Sequence, residues 1–283
     1  MNKTGIEWAT MTWNCLRGCS WVSSGCDLCY AETIAKRFGK PGQVFHGTYD
    51  YQTESWSGDL FFQKHKLDEP RKVKSPQLIF ANSMSDVCHP KVKPEWIDQI
   101  FKTMIAARQH FYMMLTKRPH LIQKKFWGPR DDGELRFFSK NGRPNHLAMG
   151  TSIETAEFLC RGLRLIEQWP GDCFLSIEPL LDKVSIKDLL KADSEIWGGR
   201  IKQVIVGGES GKGSRKMEAD WVKLLRDETK EAGRDFFFKQ WGDCWLRKCG
   251  RMIDDREWNE SPWPVALPIN QTQKTKLQGD IFV

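Results

Sequence analysis

The segment Val204-Ile205-Val206-Gly207-Gly208-Glu209-Ser210-Gly211 joins three β-branched residues to glycines and polar side chains. A short run of β-branched apolar residues is typical of a buried strand, and the glycines after it predict a tight turn. Five other apolar runs also give way to polar residues. The six predicted strands are 77–81, 110–115, 146–151, 173–177, 203–206 and 235–238.

Helical patterns lie between several of these strands. The predicted helices are 31–38, 94–107, 155–168 and 220–232. Pro94 suits the first turn of a helix, and Gly233 suits the position that ends one. Because strands alternate with helices, we predict an α/β fold of parallel strands. It covers residues 1–243, with insertions at about 40–75 and 127–145, and an irregular C-terminal extension follows over 244–283.

Polar residues follow each predicted strand at or near its carboxyl end. They are Asn82, Ser83, Asp86, Thr116, Lys117, Arg118, Ser152, Glu154, Ser176, Glu178, Glu209, Ser210, Lys239, Gln240 and Trp241. Ligands bind at this edge of barrels and of open parallel sheets, because the following loops converge there. A single polar residue after a strand usually forms a turn. The same arrangement after six strands predicts one shared active-site mouth.

Four of the nine cysteines fall in one short segment, Cys15-Leu-Arg-Gly-Cys19-Ser-Trp-Val-Ser-Ser-Gly-Cys26-Asp-Leu-Cys29. An odd number of cysteines with four clustered favours metal-bound thiolates in a reducing compartment over disulfides. Taken as four ligands, the cluster predicts a tetrahedral structural zinc site. Taken as three, Cys19, Cys26 and Cys29 form a C-x6-C-x2-C pattern that can hold an iron–sulfur cluster with one open iron. The spacing alone leaves both alternatives open.

The segment from Thr12-Trp13-Asn14 to Tyr30-Ala31-Glu32 resembles the phage-associated three-Cys-motif protein family, which is related to radical SAM enzymes. Further matches are Asn82-Ser83-Met84-Ser85-Asp86, Leu115-Thr116-Lys117-Arg118-Pro119, Ser176-Ile177-Glu178-Pro179-Leu180-Leu181, residues 204–211 and Phe237-Phe238-Lys239-Gln240-Trp241-Gly242. The family pattern does not require Cys15, which favours three ligands. The first gap, x6, is longer than the x3 of most radical SAM enzymes.

The resemblance implies a partial or complete (β/α) barrel of radical SAM type, with a [4Fe-4S] cluster on Cys19, Cys26 and Cys29. S-adenosyl-L-methionine (SAM) would bind the open iron, and an electron from a flavodoxin-like or ferredoxin-like donor would yield a 5'-deoxyadenosyl radical. We predict that Tyr30, Asn82, Ser83, Glu178, Gly207, Gly208 and Glu209 bind the cofactor. We predict catalytic roles for Glu154, Glu178 and Lys117, and substrate binding by Arg118, Lys239, Gln240 and Trp241. The alternatives are a tight turn at Gly207 and Gly208 and a solvated charged turn before Pro119.

A net charge of +7 and thirteen tryptophans favour a nucleic-acid base or nucleotide as substrate. With the phage resemblance, the biological task expected is hypermodification of a base in phage DNA, such as rearrangement of a modified thymine. One alternative is a non-enzymatic nucleic-acid-binding protein with four-cysteine zinc. Another is a cluster with only a structural or redox-sensing role. No signal-peptide pattern or membrane-spanning apolar run is found, so a cytoplasmic location is expected, in the host if the chain is phage-encoded.

Overall fold

The computed structural model describes residues 1–129, 133, 136, 138–139, 142–143, 145–242 and 250–265. Within these residues, eight strands form one sheet, in which only the first pair is antiparallel. The strands are β1 (Asn2–Lys3), β2 (Met11–Trp13), β3 (Leu78–Ala81), β4 (Phe111–Thr116), β5 (Leu147–Ser152), β6 (Cys173–Ile177), β7 (Ile201–Gly207) and β8 (Asp235–Gln240).

The order of strands in the sheet follows their order in the chain, from β1 to β8. Each parallel strand therefore pairs with the next one along the sequence, without the reversal of order that marks doubly wound sheets. The prediction of an α/β fold with parallel strands is confirmed. In the described residues β1 and β8 are the first and last strands of the sheet and do not pair with each other, so a closed barrel is not observed.

Helices connect the parallel strands. They are α1 (Tyr30–Arg37), α2 (Glu69–Lys72), α3 (Pro94–Ala106), α4 (Ile122–Phe126), α5 (Cys160–Gln168), α6 (Lys187–Trp197) and α7 (Ala219–Glu231). Three-residue or four-residue 3₁₀ turns occur at Ser24–Cys26, Lys64–Lys66, Pro119–Leu121 and Ala156–Leu159. The last of these replaces the first turn of the predicted helix 155–168. Strands β1 and β2 and helices α2, α4 and α6 were not predicted from the sequence. None of the described helices is long and apolar enough to cross a membrane.

Both faces of the sheet are buried, which explains why its strands read as continuous apolar runs. Side chains alternate between the faces, so Ile79 and Ala81 pack in the core on the helix side while Leu78 and Phe80 pack in a second core. The second core is closed by aromatic side chains from outside the parallel strands, namely Trp8 before β2 and Trp263 after β8.

The predicted insertion 40–75 contains short antiparallel pairs. Tyr49–Asp50 pairs with Ser55–Trp56, and Phe61–Phe62 pairs with Leu16–Arg17. In the predicted extension, Met252–Ile253 pairs with Arg256–Glu257. Part of the predicted insertion 127–145, and residues 243–249 and 266–283 of the C-terminal region, lie outside the described residues.

Candidate functional site

A cavity of about 1170 Å³ lies at the carboxyl ends of the parallel strands. Its wall combines the cysteine segment with residues that follow six of the strands. The predicted residues that line it are Cys19, Cys26, Cys29, Tyr30, Asn82, Ser83, Lys117, Arg118, Glu178, Gly208, Glu209, Lys239, Gln240 and Trp241. Glu154 and Gly207 do not line the cavity.

The cysteine segment brings three thiols to this wall. Cys26 ends the 3₁₀ turn Ser24–Cys26, and Cys29 is the residue that caps the start of α1. Burial raises the pKa of the Cys29 thiol, and the charge of Cys26 raises it further. Burial, with a smaller contribution from Asp86, raises the pKa of Cys19 to about 12, and Cys29 also adds to this shift. The Cys29 amide donates a hydrogen bond of 3.2 Å to the Cys26 carbonyl, and Cys19 and Cys29 pack against the same apolar cluster.

Cys15 lies in a different part of the molecule. It is fully buried in the core on the helix side of the sheet and does not line the cavity. Burial, and then the charge of Glu69, raises the pKa of its thiol. Cys19 and Cys29, by contrast, pack against a separate apolar cluster around Ala31 and Ala35. A four-cysteine site that includes Cys15 is therefore not supported by the fold.

The three cavity cysteines fit a soft metal centre by their chemistry, because each offers a sulfur ligand from one short segment. As the side chains stand, no three His, Cys, Asp or Glu residues in the described parts of the chain are arranged to hold one metal ion. Thiolates repel one another, so a bound cation is needed to draw three sulfur atoms together. The segment therefore supplies suitable ligands, but their side chains are not already arranged in the geometry of a bound metal.

Asn82 follows β3 in a left-handed backbone conformation, with φ of 61°. Its side-chain oxygen accepts a hydrogen bond of 3.2 Å from the Leu16 amide. Its amide nitrogen is buried and has no hydrogen-bond partner among the described residues, which leaves a donor for a ligand. The neighbouring Ser83 carbonyl accepts a bond of 2.7 Å from the Tyr30 hydroxyl, which ties the start of α1 to the end of β3.

Glu178 follows β6 and carries a carboxylate that is only partly satisfied. Ser176 donates a hydrogen bond of 3.3 Å to Oε2, and Lys239 Nζ lies 3.0 Å from Oε1. The Lys239 contact is an ion pair without hydrogen-bond alignment, so Oε1 still has an acceptor position available. A side chain at Gly207 would bring its Cβ to 2.5 Å from Oε1. Gly207 is thus needed to make room for the Glu178 carboxylate.

Glu209 forms an ion pair with an arginine. Arg215 donates from its backbone amide and from Nε to Oε2, each at 2.9 Å, and its second guanidinium nitrogen bonds to Oε1. A side chain at Gly208 would place its Cβ 2.1 Å from the amide nitrogen of Gly242. The Gly-Gly-Glu segment is thus explained by close packing and by the Arg215 ion pair.

Glu154 is fully buried behind the cavity wall. Arg161 donates a hydrogen bond of 2.8 Å to Oε2, and Lys117 forms an ion pair with Oε1. A side chain at Gly25 would place its Cβ 2.4 Å from the Cγ of Glu154. Glu154 was predicted to act as an acid or base in the cavity, but its carboxylate does not line the cavity and has no direct access to a ligand. Lys117 does line the cavity.

Arg118 also forms an ion pair within the protein. It donates from one guanidinium nitrogen to Asp86 Oδ2 at 2.8 Å, and both side chains are buried. Its charge is therefore balanced inside the protein. The prediction that Arg118 binds substrate is not tested by this arrangement.

A protein-family model described as "Protein of unknown function (DUF5131)" matches residues 3–262. The chain belongs to this family. No curated protein matches the sequence. A solved structure of spore photoproduct lyase complexed with dinucleoside spore photoproduct is similar over 80% of this chain and 76% of that chain, with a TM-score of 0.46 and 9% identity. A similarity of this size does not establish a shared activity.

The cavity of this DUF5131 protein is lined by aromatic side chains as well as by charged groups. Trp8 and Phe80 both line it, with their ring centroids 4.6 Å apart. The indole nitrogen of Trp8 is buried and has no partner in the described part of the chain. Trp241, which also lines the cavity, donates a hydrogen bond of 3.0 Å from its indole to the Met252 carbonyl. The cavity therefore offers flat apolar surfaces together with polar groups.

Two residues of this DUF5131 protein were missed by the sequence analysis. Arg161 lies in α5 and Arg215 lies in the loop before α7, so neither directly follows a strand. Both bind carboxylates that were predicted to face a ligand, Glu154 and Glu209.

Proposed function

We propose that this protein is a radical SAM enzyme with a [4Fe-4S] cluster on Cys19, Cys26 and Cys29. The observation that carries the proposal is the separation of the four clustered cysteines. Three line one cavity at the carboxyl ends of parallel strands, and Cys15 is buried in the opposite core. Three sulfur ligands leave one iron of such a cluster open, which is the requirement for SAM binding.

Cys19, Cys26 and Cys29 would hold the cluster, which, once reduced, would supply the electron that splits SAM into methionine and a 5'-deoxyadenosyl radical. The chain supplies groups that match the charged ends of the methionine part. Glu178 accepts from the ammonium group through its available Oε1, and Asn82 donates its unpaired amide to the carboxylate. Tyr30 holds the start of α1 against Ser83 beside these groups.

The apolar wall of the cavity protects the reaction from water. Trp8, Phe80 and Leu115 line the same space as the cysteines. Because a carbon radical is quenched by unintended hydrogen donors, a dry wall restricts its reaction to the bound substrate. Lys117 lines this wall and is held by Glu154, which it shares with Arg161, so it presents a fixed positive charge to a substrate oxygen.

We propose that the substrate is a nucleic-acid base or nucleotide. The biological task that we propose is hypermodification of phage DNA, such as rearrangement of a modified thymine. The flat surfaces of Trp8, Phe80 and Trp241 suit an aromatic base, and the net charge of +7 suits a phosphate-bearing molecule. A one-electron donor of ferredoxin or flavodoxin type is the partner that this chemistry requires.

The test is anaerobic reconstitution with iron and sulfide, followed by dithionite reduction with SAM and chromatography for 5'-deoxyadenosine. Cys26→Ala is expected to lose iron and product, and Cys15→Ala, the matched control, is expected to keep both. Transfer of deuterium from a labelled base, nucleotide or DNA strand into 5'-deoxyadenosine identifies the substrate. A colourless protein whose bound zinc depends on Cys15 refutes the proposal and supports the zinc alternative.

A further inference from the structure

The six residues between Cys19 and Cys26 have little apolar contact to hold them in place. The only large aromatic side chain among them, Trp21, is 61% exposed, and Ser23 alone is buried. Burial of apolar surface therefore does not fix this segment, although two metal ligands stand at its ends. Polar contacts must hold the segment in place, and Arg118, Glu154 and Arg215 make them.

The first contact holds Ser20, directly after Cys19. Arg118 donates to the Ser20 hydroxyl at 2.8 Å and to its carbonyl at 3.2 Å. The guanidinium itself is fixed by Asp86, which also accepts from Thr116 Oγ1 at 2.7 Å. His89 Nε2 lies 2.9 Å from the same serine hydroxyl. Ser20 is thus anchored to the ends of β3 and β4.

The second contact holds Ser23 in the middle of the segment. Its hydroxyl donates a hydrogen bond of 2.8 Å to Glu154 Oε1 beyond the end of β5. Glu154 is immobilised by Arg161 on its other oxygen. Gly25 lies so close to this carboxylate that a Cβ would come 2.7 Å from Oε1. The middle of the segment therefore rests directly on a buried, fixed carboxylate.

The third contact holds Ser24 through its backbone. Arg215 donates to the Ser24 carbonyl at 2.7 Å, and a second nitrogen lies 3.4 Å from Asp27 Oδ2. Glu209, beyond the end of β7, holds the guanidinium from behind. Each of the three serines is therefore held by a charged side chain that a second charged residue holds in turn.

We propose that Arg118, Glu154 and Arg215 are positioning residues that fix the long C-x6-C segment at Ser20, Ser23 and Ser24, and so determine how firmly its thiols hold their metal centre. The identity of that centre as a [4Fe-4S] cluster rests on the proposed function, whereas the anchoring does not. In this proposal the six residues between Cys19 and Cys26 form a segment of fixed shape that supports the two cysteines.

The test compares Ser20→Ala, Ser23→Ala and Arg215→Gln with the control Ser185→Ala. Ser185 donates to the Glu228 carboxylate at 2.5 Å, a serine–glutamate bond far along the chain from the cysteines. In the metal-free protein, hydrogen–deuterium exchange of the amides in 20–27 is expected to accelerate about tenfold or more in the three test variants and not in the control. In the reconstituted protein, loss of iron to a chelator is expected to accelerate by a similar factor.

Unchanged exchange and unchanged iron loss in Ser23→Ala and Arg215→Gln overturn the inference. Equal acceleration in Ser185→Ala also overturns it, because the effect is then a general loss of stability, which thermal unfolding of each variant measures separately. If the wild-type protein takes up no iron–sulfur cluster, the proposed function fails, and the exchange measurement on the metal-free chain still decides the anchoring.

Discussion

Replacing Glu154 by alanine is expected to lower the free energy of unfolding by about 3–5 kcal/mol. The carboxylate is fully buried and binds both Arg161 and Ser23 at 2.8 Å. Arg161 is itself only 7% exposed, so the substitution leaves a buried cation without its partner. This uncompensated charge accounts for most of the loss. The Lys117 ion pair adds about 1 kcal/mol at most, because 18% of that side chain is open to water.

Urea unfolding followed by tryptophan fluorescence measures this change. Glu154→Leu combined with Arg161→Met removes the unpaired charge, so the double variant is expected to be more stable than the sum of the single changes implies, by about 2 kcal/mol. Glu157→Ala, an exposed glutamate on the same loop, is the control and is expected to stay within about 0.5 kcal/mol of wild type. A loss below about 1 kcal/mol for Glu154→Ala, or strictly additive effects, contradicts the reasoning.

Three further outcomes are expected. Burial, then the charge of Arg118, lowers the pKa of His89 from its ordinary 6.5 to about 4. Between these values the unfolded chain binds a proton that the folded chain does not, so stability falls as pH drops, by up to about 1.4 kcal/mol per pH unit. Urea unfolding at pH 7 and 5 should show a shallower dependence in His89→Gln. Gly207→Ala should raise the Kd for SAM at least about tenfold by displacing Glu178, and calorimetry giving wild-type affinity would exclude that contact. Asn82→Gly should relieve the backbone strain yet lower stability by about 1–3 kcal/mol, because the buried Leu16 amide loses its acceptor; a gain in stability on urea unfolding would contradict this.

The parallel strands were predictable because burial of both sheet faces leaves a plain apolar signal. Strand β2 escaped prediction because it spans only Met11–Trp13, too short to show a period. Helix α6 was overlooked although Gly198 ends it in a left-handed conformation, a recognisable stop signal. The fold class was therefore accessible from the sequence, whereas the absence of pairing between β1 and β8 in the described residues depends on long-range contacts that no local pattern encodes.

The position of the candidate site could be predicted from the sequence, but the partners of its individual side chains could not. Polar residues after the strands do surround one cavity, because parallel strands end together. The sequence does not reveal which carboxylates face that cavity, because partners such as Arg161 and Arg215 are distant in the chain and lie outside the strand ends. Glu178 and Glu209 therefore looked equivalent in sequence, yet only Glu178 keeps an available oxygen. The cofactor and substrate roles of the cavity residues stay predictions.

The anchoring of the cysteine segment also has a consequence for the order of events during protein synthesis. The thiols are encoded within the first 29 residues, whereas the side chains that shape their segment come from positions 118, 154 and 215. A ribosome must therefore add nearly two hundred residues after Cys29 before the last of these contacts can form. The three cysteines proposed to bind the metal are therefore made well before the residues that shape their segment, and they reach their final arrangement late in synthesis.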